Sequence, residues 1–211
     1  MDIGEEIDAI RRETSQTRVR ETDVRTVTLW RSYDAAIEDV WDAVTDRERL
    51  SRWFLPVDGD FRLGGTYQIE GNASGEILQC QPPELLKVSW VYGEKTDPAD
   101  LSELEVRLSS GPDGETHLSL EHSATVDPEF WTVYGPGAVG VGWDLAVLGL
   151  GMHLRGEGID AAAREAWSQS PVAREFMARS SQAWGAAYEA SGAPATEVAS
   201  TVENTTKFYA P

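Results

Sequence analysis

A chain of 211 residues, 41% hydrophobic and 9% aromatic, can build one globular domain with additions. Its formal net charge of -18 repels nucleic acid and anionic lipid. No apolar run approaches the ~20 residues of a bilayer span. The N-terminus carries no secretion signal, and the lone Cys80 builds neither an internal disulfide nor a cysteine-based zinc site. The expectation is a cytoplasmic protein without nucleic-acid, membrane or metal partners.

The elements follow in chain order. Ile3, Ile7 and Ile10 fall at helical spacing, which predicts a helical arm over residues 1–22. "VRTVTLWRSY" (24–33) is rich in β-branched and aromatic residues and predicts a strand. In "VWDAVTDRERLSRWFLP", Ile37, Val40, Trp41 and Val44 share one helical face behind an Asp34 N-cap. Thr45 with Glu48 three residues on reads as a capping box, so a second short helix carries Leu50, Trp53 and Phe54 until Pro56.

After Pro56 the period changes to short runs at 64–71, 75–81, 85–92, 101–110 and 115–122. They are separated by turn chemistry at Gly71-Asn72, Pro82-Pro83, "GEKTDPAD" and "GPDG". Leu104, Val106 and Leu108 alternate with Glu103, Glu105 and Arg107, the signature of an antiparallel meander with one wet face. By the same parity Leu86, Val88, Trp90 and Tyr92 share a face, as do Leu118, Leu120 and His122.

Residues 135–154 are apolar nearly all round and predict one long buried helix, despite six glycines. The fragment "GPGAVG" (135–140) matches a dinucleotide fingerprint, but its neighbours form no parallel βαβ unit. Residues 156–192 predict a helical extension. Its strongest part starts at Ser170 and Pro171, carries a stripe through Val172, Phe176, Ala183, Trp184, Ala187 and Tyr188, and stops at Gly192. That stripe docks on its own domain or, alternatively, forms a homodimer through the C-terminal helix. Residues 193–211 are small and polar and predict a flexible tail.

Five fragments carry a resemblance: "VWDAVTDRERLSRWFLP", "GDFRLGGTYQIEG", "GEILQCQPPELLKVSW", "LSLEH" and "GWDLAVLGL". In this order they resemble the SRPBCC superfamily, also called START-like or helix-grip, over about residues 24–154. The branch is the one related to the C-terminal domain of the activator of the heat-shock protein 90 ATPase. The resemblance implies an α+β helix-grip fold: a curved antiparallel sheet of six or seven strands around a long C-terminal helix and an apolar cavity. Two short helices follow the first strand. Six strands read from the chain, and the seventh is placed near 59–63. The helix-grip domain is then 23–155.

Parity and the resemblance together nominate Phe54, Tyr67, Trp90, Tyr92, His122 and Trp143 as cavity lining. The cavity implies a hydrophobic or amphipathic small-molecule partner and no cofactor. Catalytic patterns are scarce. His117 lies on a polar strand face and His153 near a helix C-terminus, where a structural role suffices. His122 on an inward face and Asp144 inside an apolar helix are the candidates for acid–base work. A carboxylate there must reach solvent, pair with an arginine or touch a ligand, in that order of expectation. The leading reading is non-enzymatic ligand binding. The alternatives implied by the resemblance are a cyclase-, aromatase- or hydrolase-type enzyme using His122 and Asp144, and a co-chaperone of an Hsp90-type ATPase.

Overall fold

The computed structural model describes residues 2–19, 22–93, 101–158 and 161–211. The predicted turn at 93–100 therefore lies almost wholly outside the described residues. Among the described residues there are eight helices and one eight-stranded sheet, the α+β composition of a helix-grip fold with a helical C-terminal part. The order is α1 (Ile3–Asp8), β1 (Arg11–Val19), β2 (Thr22–Tyr33), α2 (Ile37–Thr45), α3 (Arg47–Trp53), β3 (Val57–Gly59), β4 (Thr66–Ile69) and β5 (Ser74–Gln81). There follow β6 (Leu85–Ser89), β7 (Ser102–Ser110), β8 (Thr116–Thr125), α4 (Pro128–Tyr134), α5 (Gly137–Leu154), α6 (Ala161–Ser168), α7 (Pro171–Ala190) and α8 (Ala195–Tyr209). The strand order is β1-β2-β8-β7-β6-β5-β4-β3. The chain divides into two compact units, residues 30–125 with 149–158, and residues 1–29, 126–148 and 159–211.

The first unit holds α2, α3 and the meander. Its strand pairs from β3–β4 to β7–β8 are antiparallel. The predicted parity holds across the ladder: Leu104 faces His122, Val106 faces Leu120 and Leu108 faces Leu118, all buried. Val88 faces Leu104 and Leu86 faces Val106 from the other side. Helices α2 and α3 form the expected corner, but their caps differ. The α2 N-cap is Ala36 rather than Asp34. The α3 cap is Asp46, whose carboxylate accepts the Arg49 N–H at 2.8 Å. Thr45 instead donates its hydroxyl to the Trp41 carbonyl inside α2, so the capping box falls one residue out of register. The extra strand is shorter and earlier than 59–63. The chain turns after Gly59, where φ is +132°, and Arg62 N–H closes back on the Asp60 carbonyl.

The second unit joins both ends of the chain, which corrects the reading of a plain arm and a loose tail. Residues 11–19 form strand β1, with no apolar alternation to announce it. The predicted tail is the 15-residue helix α8. Its small and polar residues sit in close contacts: Thr205 donates to the Tyr134 carbonyl, Asn204 to Val133 and Tyr209 to Ala138. The predicted α7 is present from the Ser170 cap onward. Phe176 and Trp184 are fully buried, while Val172 is exposed and leaves the stripe. That face is covered within the chain, so a homodimer would need a different surface.

Two glycines of α5 find their explanation here. A Cβ on Gly140 would lie 2.3 Å from the Trp184 ring, and one on Gly137 would meet Thr205 at 3.0 Å. They admit α7 and α8 to close contact with α5. By length and composition alone α5 is apolar enough to cross a bilayer, contrary to the expectation that no run comes near one. Half of it is nevertheless buried in protein, and it carries Asp144 in an ion pair.

Candidate functional site

Three of the six nominated lining residues come together on one face of the meander. Tyr67 stands on β4 and His122 on β8, while Trp90 follows β6 with its N–H donated to the Ser102 carbonyl. Each is less than one-tenth exposed. The Tyr67 and Trp90 rings lie 6.3 Å apart and tilted, and Trp90 and His122 lie 6.4 Å apart edge-on. These are ordinary distances for attractive aromatic pairs.

The polar tips are tied to the sheet. The Tyr67 hydroxyl donates to the Ser89 carbonyl at 2.7 Å. The Ser102 hydroxyl and His122 Nε2 share one proton at 3.2 Å, its direction set by the imidazole tautomer. Burial pushes the His122 pKa down to about 4 and raises that of Tyr67, because neither charged form is solvated there. Both groups are neutral at pH 7. The result is a dry aromatic surface with a phenol, a neutral imidazole and a hydroxyl set into it.

The other nominated residues lie elsewhere. Tyr92 is 67% exposed, contrary to its strand parity. The β6 ladder ends at Ser89, Val91 makes only an isolated bridge to Ser74, and Gly93 turns the chain at φ +65°, so the two-residue period stops before Tyr92. Phe54 is half-buried after α3 and stacks on Trp53 at 5.5 Å, whose indole donates to the Ala43 carbonyl. Trp143 is buried on α5.

Asp144 is fully buried, not solvent-facing as first expected. Its Oδ2 accepts from Arg12 Nε at 2.9 Å and from the Ser180 hydroxyl at 2.5 Å. Arg12 Nη1 in turn donates to the Ile7 and Ile10 carbonyls. Burial raises the Asp144 pKa, opposed by Arg12, Ser180 and Trp184. Through Oδ2 this carboxylate ties β1, α5 and α7 together, while its buried Oδ1 accepts no hydrogen bond among the described residues. His122 hydrogen-bonds to Ser102. His117 is half-exposed beside Ser32, as its polar face predicted, and His153 Nε2 accepts from Arg49. Among the described residues no group of three His, Cys, Asp or Glu side chains is placed to hold a metal.

A groove of about 620 Å³ opens beside β3–β5, lined by Asp58, Thr66, Gln68, Glu76 and Ser89 among others. Its lining mixes polar side chains, two of them carboxylates, with apolar surface that includes Tyr67. Sequence reasoning missed Arg12 and Ser180 as partners of Asp144, and Ser102 as the partner of His122. Ser102 carried one usable signal, its place on the Leu104 face of β7.

The matching family model is AHSA1, described as activator of Hsp90 ATPase homolog 1-like protein, over residues 34–150, more than half the chain. The chain belongs to the AHSA1 family. The match spans α2, the meander and most of α5, and so includes the Tyr67, Trp90 and His122 face. Among solved structures, CalU16 from Micromonospora echinospora is similar at 36% identity. Its crystal structure matches with a TM-score of 0.67 over 85% of this chain and 98% of that one. Its solution structure matches at 0.69 over 87% and 97%. This coverage extends the likeness beyond the AHSA1 segment into the terminal helices. Protein MLL2253 from Mesorhizobium loti is 24% identical with a TM-score of 0.51 over 62% of this chain and 97% of that one, a likeness of fold. No curated protein matches the chain.

Proposed function

We propose that this AHSA1-family chain binds one hydrophobic or amphipathic small molecule through the aromatic face formed by Tyr67, Trp90 and His122. The observation that carries the reading is the composition of that face. Most of this sheet surface is aliphatic, at Leu104, Val106, Leu108, Leu118 and Leu120. At one end it changes to three rings with a hydroxyl and a neutral imidazole among them. Apolar walls with a few placed polar groups are the common form of small-molecule sites. The rings supply burial for a flat or branched apolar body, and His122 with Ser102 supplies one oriented hydrogen bond.

The reading is of binding rather than catalysis. The acid–base alternative requires His122 to work with Asp144, whose carboxylate is committed to Arg12 and Ser180. The activity in the family description belongs to the protein it names, and the aromatic face offers no support for carrying it over. Solvent extraction of the purified full chain followed by mass spectrometry tests the proposal. A single apolar compound that copurifies with wild type, and is lost from Trp90→Ala while Tyr92→Ala retains it, is the expected result. Equal retention in both variants overturns the assignment of the face.

A further inference from the structure

A second cleft lies mainly outside the segment matched by the family, among the strands and helices contributed by the chain ends. It encloses about 490 Å³ and is lined by Thr14, Ser15 and Gln16 of β1, Arg25 of β2, Trp131 of α4, Tyr188 of α7 and the 191–193 turn. Most of its hydroxyls are already spent. Thr14 donates to the Thr26 carbonyl, and Ser191 to the Tyr188 carbonyl. The Trp131 indole donates to the Tyr188 hydroxyl at 3.0 Å, and that hydroxyl donates to the Glu197 carboxylate.

Arg25 stands apart. Its guanidinium carbon lies 4.6 Å from the centroid of the Trp131 ring, a cation held over an aromatic face. Among the described residues it forms no ion pair, although the chain has 36 acidic residues against 18 basic ones. The carboxylate of Glu197 is taken by the Tyr188 phenol. The cleft therefore offers a guanidinium fork with its aromatic support in place and no direct ion pair among the described residues.

We infer that this cleft binds a small organic anion, a carboxylate or a phosphate monoester, through Arg25. The planar fork matches either group with two parallel hydrogen bonds. The Trp131 ring holds the guanidinium at the cleft before a ligand arrives, which lowers the ordering cost of binding. The site is separate from the aromatic face of the meander and stands or falls independently of it.

The test is a ¹⁵N NMR titration of the full chain at fixed ionic strength, with benzoate and phenyl phosphate as probes and phenol as the neutral control. The Trp131 indole N–H and the Ser191, Gly192 and Ala193 amides report on the cleft. Saturable shifts of these signals with benzoate, phenyl phosphate or both are expected, and which anion binds tells the carboxylate and phosphate sources apart. Phenol leaves them unchanged. Arg25→Gln weakens binding by about tenfold or more, and Arg25→Lys by less, since the point charge remains without the fork. The dispersion of the variant spectra shows that the fold survives. Shifts that fail to saturate, that phenol reproduces, that persist in Arg25→Gln, or that appear at the Trp90 indole instead overturn the inference.

Discussion

Gly140→Ala places a methyl group where α5 meets α7. On helix propensity alone the change stabilises, by roughly 1 kcal/mol in a helix interior. The structure reverses the sign. The added carbon would sit 2.3, 2.4 and 2.5 Å from Cε2, Cδ2 and Nε1 of Trp184. Carbon contacts settle at about 3.5–4.0 Å, so the indole must retreat by more than about 1 Å. Trp184 is fully buried, so the ring can move only by displacing packed neighbours. Overpacking of this kind costs about 1–3 kcal/mol, and because a buried indole yields little the upper part of that range applies, a net loss of up to about 2 kcal/mol. Gly142→Ala is the internal control. Its nearest neighbour would be the Tyr209 hydroxyl at 3.5 Å, an ordinary contact, so the propensity gain of up to about 1 kcal/mol survives. Urea denaturation followed by circular dichroism separates the two variants, with midpoints displaced in opposite directions. Trp184→Leu in the Gly140→Ala background should remove most of the penalty. If Gly140→Ala is as stable as wild type or more so, the close docking of α7 on α5 is wrong.

Two further outcomes follow from the buried polar groups. Asp144→Ala strands the buried Arg12 guanidinium and should cost about 3–5 kcal/mol in the same denaturation assay, whereas an exposed carboxylate such as Glu48, paired with Arg52 only at the surface, should cost almost nothing on substitution. His122 is neutral in the folded chain down to about pH 4 but protonates near pH 6.5 when unfolded. Its contribution is therefore fully present above about pH 6.5 and is lost as pH falls toward 4, some 3 kcal/mol in all. His122→Gln should flatten the stability profile between those limits, and an unchanged profile would refute the neutral buried imidazole.

The meander was legible because its chemistry repeats every two residues. Leu104, Val106 and Leu108 alternate with charges, and the register confirms that face against Leu118, Leu120 and His122. The α7 start was legible because Ser170 and Pro171 are strong local signals. What failed lacked a local period. Residues 11–19 are polar on both faces, so nothing in "RRETSQTRV" announces a strand whose Arg12 reaches a carboxylate 132 positions away. Helix α8 is built of small and hydroxylated residues whose value lies in close approach rather than apolar burial, and composition alone read them as a tail. Tyr92 shows the reverse error: it lies three residues past the end of the ladder that justifies the parity. The cluster of Tyr67, Trp90 and His122 could be nominated from faces, but the Ser102 hydroxyl beside His122 required the register between β7 and β8.

The most direct test of the ligand-binding account is a titration of the full chain with the apolar fluorophore 1-anilinonaphthalene-8-sulfonate, read at the Trp90 indole N–H by NMR. The account predicts a saturable one-site shift at Trp90 and at the ring protons of His122, abolished by Trp90→Ala and retained in Tyr92→Ala. Fluorophore binding that leaves Trp90 and His122 unmoved while the protein stays folded would contradict it.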